Sequence, residues 1–140
     1  MKIDFGVITD YIPYLLGGIL VTLEIALAAA LLGSLLALVF SLLSRKKGIV
    51  QKLIKVFIDF FRGTPLLFQL AFFHYGIPQI TGILPTAYIS ALIVFSINSS
   101  AYLAEILRAG IESIDKGQIE AAHALGVKSW DISFSIIIPQ

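Results

Sequence analysis

The sequence predicts an all-α protein that crosses a membrane about three times and then begins a fourth crossing. Three observations predict this fold class. Hydrophobic residues make up 58% of the chain and charged residues 14%, whereas roughly 25% of the residues in soluble domains are charged. Three long apolar segments occupy most of the chain before residue 108. A short polar segment that contains glycine then separates the third of them from an apolar chain end.

The first predicted span, residues 15–43, contains Glu24 as its single charged residue. It is longer than the roughly 20 residues that cross the hydrocarbon core, so we expect it to tilt or to project beyond the bilayer. Its small residues would allow close helix packing. Glu24 could face a pathway, or it could be protonated or paired near the outer end. Residues 1–14 lack a signal-peptide pattern and predict a short external segment with tyrosines at the interface.

A basic turn follows the first span. Five of the ten Lys and Arg residues of the chain lie between Ser44 and Lys55: Arg45, Lys46, Lys47, Lys52 and Lys55. The positive-inside rule therefore predicts that this turn is cytoplasmic and that the N-terminus lies outside. The same charges could also bind anionic lipid.

The second predicted span, residues 56–75, is interrupted by a proline. Pro65 has no N–H and clashes with the carbonyl four residues earlier, so we expect a helix kink near residues 61–64. Backbone groups freed at membrane depth are tolerated where they face protein or a water-filled cavity. Thr64 is therefore a candidate residue of a transmembrane pathway. A hydroxyl hydrogen bond within the kink is the alternative.

Residues 75–86 contain two glycines, two prolines and no charge, which favours a short external turn. The third predicted span, residues 86–107, carries Asn98, Ser99 and Ser100 towards its inner half. Polar side chains at such a depth bond across helices or line a pathway. We therefore take Asn98 and Ser99 as pathway candidates.

Two ion pairs are compatible with helical spacing in the inner parts of these spans. Asp59 and Arg62 lie three residues apart and could pair. Glu105 could pair in the same way with Arg108. Alternatively, Glu105 could contact an ammonium or guanidinium group of a substrate, since an intramembrane carboxylate suits a cation. The sequence leaves both roles of Glu105 open.

The polar segment, residues 108–130, predicts a helix-turn-helix on the cytoplasmic side. Asp115 and Gln118 have the spacing of a capping box variant, so a short helix should begin near Lys116. Gly126 stands where a residue in the left-handed conformation would end that helix.

A second helix should follow, with Ser129 as its N-cap, and residues 131–140 should begin the fourth span. Two helices joined by a glycine-containing turn also occur in DNA-binding proteins. Their second helix needs polar and basic residues for base edges and phosphates. Trp130 to Ile138 contains one acid and six large apolar residues instead. We therefore expect no nucleic acid partner.

Three motifs, in this order, resemble those of the permease subunits of ABC importers, which are the membrane subunits of ATP-driven uptake systems. Residues 62–67 (RGTPLL) and 101–111 (AYLAEILRAGI) resemble the branch for polar amino acids. The later segment is similar to the EAA loop of the family. It carries these residues of the loop motif: Glu120, Ala121, Ala122, Gly126 and Pro139. The likeness extends from about Gly17 to Gln140.

The resemblance implies the type I permease fold, whose loop docks on a separate ATPase through a coupling helix. Glu120 would anchor the loop at the ATPase surface, and Gly126 would supply its sharp turn. The expected partners are two ATPase subunits inside, a solute-binding protein outside and a second permease subunit, in the inner membrane of a bacterial cell. ATP would be bound by the ATPase, so we expect no cofactor in this chain. Because the core of the family has five spans, we also expect a truncated C-terminus.

An enzyme is the third class to weigh. The sequence contains none of the motifs G-x-x-x-x-G-K-[ST], H-E-x-x-H and G-x-S-x-G, so we expect neither ATPase nor hydrolase activity. It has no cysteine, and its two histidines, His74 and His123, are far apart, so we expect no metal site. His74 would be an interfacial ring and His123 a surface residue of the coupling helix. The remaining alternatives are a truncated or non-transporting helical membrane protein with a structural or assembly role and a channel-like protein. Neither would account for the EAA motif.

Overall fold

The computed structural model describes residues 6–44 and 48–140, and within these ranges every regular element is helical. The α-helices are α1 (Gly6–Ser44), α2 (Ile49–Gly63), α3 (Leu66–Ala71), α4 (Ile77–Thr81), α5 (Ala87–Glu112), α6 (Lys116–Ala124) and α7 (Ser129–Ile132). One π-helical turn, Phe72–Gly76, connects α3 to α4. A second, Ser133–Ile137, extends α7. The predicted all-α class is confirmed.

The first helix starts earlier than the predicted span. It begins at Gly6, so residues 6–14, which we expected as a separate external segment, belong to the same helix. Pro13 lies inside α1 and does not end it, as is tolerated in apolar helices whose freed backbone groups find other partners. Residues 1–5 lie outside the described part of the chain. So do residues 45–47, which supply three of the charges in the predicted basic turn.

α1 and α5 pack side by side and run in the same direction. Tyr88, near the start of α5, donates its hydroxyl hydrogen to Oε1 of Glu24 over 2.9 Å. Further along both helices, Gly33 lies so close to α5 that an added Cβ would be 2.9 Å from the Cβ of Ser99. Higher residue numbers in α1 therefore meet higher residue numbers in α5. The chain between two such parallel helices must cross the bundle in the opposite direction.

This return crossing is a broken helix pair and not the single kinked span predicted for residues 56–75. Ile49–Gly63 and Leu66–Thr81 are bent by 105° relative to each other. Thr64 lies between them in an extended conformation, with φ −113° and ψ 143°. The ring of Pro65 disfavours the helical conformation for the residue before it. The break is at the predicted place, but it is much sharper than a kink.

The external turn predicted for residues 75–86 is shorter than expected. A π-helical turn and α4 continue the helix to Thr81, and Gly82 ends it with a left-handed φ of 72°. Pro78 did not mark a turn, because it stands at the start of α4, directly after the π-helical turn. Thr86 then caps α5, since its Oγ1 accepts from the backbone N–H of Ile89.

The core lies where α1, α2 and α5 meet. It is formed by buried side chains of these helices: Ala37, Ile54, Ile58, Ala101 and Ala104. Rings from α1 and α2 pack around them, and the centroids of Phe40 and Phe57 are 5.2 Å apart. Ser44 and Glu112 line one cleft, so α1 and α5 finish at the same end of the bundle. We call this end, from which α6 follows, the loop end.

The close contact at Gly33 gives a stability prediction. The change Gly33→Ala should place a methyl group 2.9 Å from the Cβ of Ser99 and 3.0 Å from the backbone oxygen of Ser96. We expect a loss of about 1–3 kcal/mol, as for other overpacked contacts, and a lower melting temperature in detergent. Gly17→Ala, where the added Cβ has nothing within 4 Å, is the control. Equal melting temperatures of the two variants would contradict the parallel contact.

Candidate functional site

α6 begins at the predicted residue, Lys116, but its first turn is not a capping box. Oδ1 of Asp115 accepts from the backbone N–H of Gly117 over 2.6 Å. The side chain of Gln118 does not return to the cap, and its Oε1 accepts from Nε2 of Gln140 over 2.9 Å. The helix-turn-helix brings that distant amide within reach, so Gln118 connects α6 to the chain beyond α7.

α6 ends in a Schellman motif. The N–H of Gly126 donates to the carbonyl of His123, and the N–H of Val127 donates to the carbonyl of Ala122, each over 3.0 Å. Gly126 has a φ of 77°, in the left-handed region that glycine adopts without steric cost. The predicted left-handed residue at this position is confirmed.

α6 and the residues that follow it expose both a charge and large apolar side chains. Glu120 is exposed and has no hydrogen bond or ion pair to another described residue. Ala121 is also exposed, whereas Ala122 faces inwards and is buried. Leu125 and Trp130, beyond the end of α6, are 83% and 72% exposed. Large apolar and aromatic side chains beside a polar rim are common at protein interfaces, so this surface is suited to a protein partner.

α7 starts one residue earlier than predicted. Lys128, not Ser129, holds the N-cap position, and it makes no side-chain cap. Ser129 is the first helical residue, and its carbonyl accepts from the hydroxyl of Ser133 over 3.0 Å. Ile132 is 2% exposed and anchors α7. Pro139, the last residue of the predicted motif, is exposed beyond the π-helical turn.

The break in the second span leaves carbonyl groups at the end of α2 without helical donors. In a continuous helix, the carbonyl of Phe61 would accept from the N–H of residue 65, which Pro65 lacks. Nε2 of Gln69 donates to Phe61 O instead, over 2.9 Å. Oγ1 of Thr64 donates to the carbonyl of Phe60, also over 2.9 Å. Thr64 therefore makes the hydroxyl bond within the kink that was the alternative to a pathway role.

Gln69 connects this break to α5. The residue is buried, and its Nε2 also donates to Oγ1 and the carbonyl of Thr64 over 2.8 and 3.1 Å. Nδ2 of Asn98 donates to Oε1 of Gln69 over 3.1 Å and to Phe61 O over 3.3 Å. Because Phe61 O can only accept, both amides must turn their NH₂ groups towards it. Asn98, a predicted pathway candidate, therefore bonds across helices.

Ser99 and Ser100, which follow Asn98 in α5, have different neighbours from Asn98. The Cβ of Ser99 is directed at Gly33 of α1, so this second pathway candidate lies in the contact between α1 and α5. Ser100 is fully buried and donates to the carbonyl of Ile97 over 2.6 Å.

Glu105 is shared by two guanidinium groups. Nε of Arg108 donates to its Oε2 over 2.9 Å, and Nη1 of Arg62 lies 3.6 Å from its Oε1. Arg108 also pairs with Glu112. The guanidinium of Arg62 lies over the ring of Tyr102, 5.7 Å from the centroid. The predicted pair between Glu105 and Arg108 is confirmed, and Arg62 joins the same cluster from α2.

The predicted pair between Asp59 and Arg62 is wrong. Arg62 is in the last turn of α2, where α5 presents both the Glu105 carboxylate and the Tyr102 ring, so its side chain turns to α5. Asp59 lines a cleft of about 580 Å³ at the loop end. The cleft is lined by residues from α1, α2 and α5: Ser44, Gln51, Lys55, Ile58, Asp59, Glu105, Arg108 and Glu112.

His74 reaches from the π-helical turn to α5. Its Nδ1 lies 2.9 Å from Oγ of Ser90, and the hydroxyl of Ser90 donates to the carbonyl of Thr86 over 3.0 Å. Because that hydroxyl has only one hydrogen, Nδ1 of His74 must be the donor. His74, which was predicted as an interfacial ring, is half-buried and bonded to α5. Among the side chains that the structure describes, no group of three His, Cys, Asp or Glu residues could hold a metal ion.

The sequence did not single out Gln69. A usable signal was present, because Gln69 is the one amide in the apolar stretch that follows Pro65. A buried amide needs partners, and a proline break supplies unpaired carbonyls nearby. Its link to Asn98 had no local signal, since the two residues are far apart in the chain.

Two continuous helices long and apolar enough to cross a membrane, Tyr11–Ser44 and Ala87–Glu112, flank the broken pair in the described residues. With the protruding loop, they define a polytopic helical membrane protein. The chain belongs to the family of binding-protein-dependent transport system inner membrane components, which matches residues 29–140. This confirms the family that the motifs indicated.

The curated relatives carry the names of amino acid permeases. The chain is 39% identical to the arginine transport system permease protein ArtQ of Bacillus subtilis, and the match covers 100% of this chain and 64% of that protein. It is 38% identical to the putative glutamine transport system permease protein GlnP of Rickettsia bellii, covering 92% and 60%. It is 39% identical to the L-cystine transport system permease protein TcyL of Bacillus subtilis, covering 98% and 60%. The chain thus spans about three fifths of the length of these relatives.

One solved structure has the same fold. It is a crystal structure of an amino acid ABC transporter with histidines, and it is 37% identical to this chain. The match has a TM-score of 0.91 and covers 100% of this chain and 65% of the other. The broken second span and the loop therefore belong to a known permease architecture.

The shared carboxylate at the loop end gives a second prediction. Glu105→Gln should lower the free energy of unfolding by about 1 kcal/mol, since partly exposed ion pairs are individually weak but two guanidinium groups lose their common partner. Glu112→Gln, which affects the pair with Arg108 alone, is the control and should lose a few tenths of a kcal/mol at most. Melting curves at low and high salt measure both. A loss as small for Glu105→Gln as for Glu112→Gln would show that the pair with Arg62 contributes nothing.

Proposed function

We propose that this chain is the membrane-spanning permease part of an ATP-driven amino acid importer, and that α6 is its coupling helix. The observation that carries the proposal is the surface of α6. Glu120 is exposed and unpaired among the described residues, and Leu125 and Trp130, which follow α6 in the chain, are exposed as well. The family supports it, since its members are inner membrane components of transport systems that depend on a binding protein.

The proposed partner of α6 is a separate ATPase subunit. Glu120 anchors the loop at the ATPase surface, and Gly126 makes the sharp turn after α6. Ala121 is exposed towards the partner, whereas buried Ala122 holds α6 to its own chain. Pro139 closes the motif. ATP is bound by the ATPase, and the permease chain itself uses no cofactor and has no ATPase site.

The proposed substrates are polar amino acids. The relatives are named for arginine, glutamine and L-cystine, and the solved structure for an amino acid transporter with histidines. A solute-binding protein on the outer side delivers the amino acid. A second permease subunit and a second ATPase complete the importer, as the family resemblance implies.

The proposed location is the inner membrane of a bacterial cell, with the N-terminus outside. Basic residues concentrate at the loop end and on the loop: Lys52, Lys55, Arg108, Lys116 and Lys128. Positive residues favour the cytoplasmic side. The loop then faces the compartment that contains ATP.

The pathway proposal rests on the break in the second span. Carbonyl groups and the polar side chains of Thr64 and Asn98 meet there, and irregular backbone at membrane depth is expected where it borders protein or a water-filled cavity. Glu105 remains a pathway candidate at the loop end, although two arginines already pair with it. The contact of Ser99 with α1 gives this residue less support than Thr64 and Asn98.

The coupling proposal predicts that Glu120→Lys uncouples uptake from ATP hydrolysis. A lysine at this position should repel the site that accepts the carboxylate, so ATPase activity should continue while uptake into vesicles falls at least tenfold. Gly126→Val should have the same effect, because valine rarely adopts a φ of 77°.

Gln79→Lys, which places a lysine at an exposed position of α4, is the control and should keep uptake near the level of the unmodified protein. All variants are compared at equal amounts in the membrane. Unchanged uptake per ATP in Glu120→Lys and Gly126→Val would favour a structural role for the loop.

A further inference from the structure

The hydrogen bonds around the break connect three separate elements. Phe61 O belongs to α2, the amide of Gln69 to α3 and the amide of Asn98 to α5. Gln69 donates to α2 and accepts from α5 at the same time. It is 6% exposed, so water cannot easily replace these partners.

We propose that Gln69 is a positioning residue of the broken span, which fixes the 105° bend and joins it to α5 through Asn98. The NH₂ group of Gln69 supplies Phe61 O with the donor that is missing at Pro65. Its Oε1 accepts the hydrogen bond from Asn98 of α5. The bend and α5 therefore move as one unit. That they do so during transport rests on the proposed function, whereas the fixed bend does not.

An apolar side chain at residue 69 could fill the same volume, but it could neither donate nor accept these hydrogen bonds. Without the amide, Phe61 O keeps only the longer bond from Asn98, at 3.3 Å. Oγ1 and the carbonyl of Thr64 lose a donor as well. Three acceptors at the break would then lose the donor that they share, and the bend would lose the hydrogen bonds that hold it at one angle.

Distances across the bend test the proposal. The chain has no cysteine, so pairs of spin labels can be introduced directly at Leu53 of α2 and Ile80 of α4, which are 62% and 79% exposed. The full chain in lipid nanodiscs should give one narrow distance distribution. Gln69→Met should broaden it or shift it by several ångströms. Gln79→Met, at an exposed amide of α4, should leave it unchanged.

Removing the amide of Asn98 on α5 tests the link to α5 separately from the angle of the bend. Asn98→Ala keeps the bonds of Gln69 to α2, so the distance from Leu53 to Ile80 should stay narrow. The distance from Ile80 to Ile106 on α5 should broaden, because the bend loses its bond to Asn98 of α5 and keeps only the weaker hold of the bond between His74 and Ser90, nearer the start of α5. This variant also provides the test if Gln69→Met fails to insert.

Two results would overturn the proposal. One is a distribution for Gln69→Met that coincides with that of the unmodified protein. The other is an unchanged distance from Ile80 to Ile106 in Asn98→Ala. Both measurements are made without nucleotide, so they remain decisive for Gln69 even if ATP-dependent uptake is absent. In an active importer, Asn98→Ala should also reduce the amino acid transported per ATP, whereas Gln79→Met should not.

Discussion

The central constraint on this structure is that a carbonyl group inside an apolar bundle must find a donor within the protein. Because Pro65 has no N–H, Phe61 O lacks its helical donor, and the amides of Gln69 and Asn98 donate to it instead. A proline alone kinks a helix, whereas here the chain turns by 105°. The sharper bend is stable because side chains from α3 and α5 replace the missing helical bonds. The unusual shape of the second span is therefore a consequence of hydrogen bonding between elements.

α5 is the element on which the other parts of the bundle converge. It contacts α1, α2, α3 and the first π-helical turn. In lipid, helices gain little from the hydrophobic effect when they associate, so close packing and bonds between helices decide the arrangement. Gly33 and the Tyr88 bond to Glu24 fix α1, and Glu105 holds Arg62 of α2 at the loop end. Three kinds of contact thus fix α5 near its start, its middle and its end.

Features that depend on a few neighbouring residues could be predicted from the sequence. The start of α6, the left-handed Gly126 and the break at Pro65 follow from caps, glycine and proline, whose effects are local. Side-chain partners were predicted less well. Spacing along one helix suggested that Asp59 would pair with Arg62, but the bend brings Arg62 to Glu105 of another helix. The link between Gln69 and Asn98 likewise depends on how far the chain turns, which no short stretch determines. The start of α1 at Gly6 was likewise not predicted.

The loop can transmit force only if α6 is rigid, although a helix this short would be marginal in isolation. Asp115 closes its start, the Schellman motif closes its end, and the buried Ala122 holds one face. The connection from α5 is equally firm, because Ser113 caps α5, Ile114 is buried and Asp115 already caps α6. In the proposed coupling, a displacement of α6 would reach α5 through these three residues. Asn98 lies roughly 21 Å along α5 from the end of that helix, so in the proposed coupling α5 would carry the displacement on to the bend.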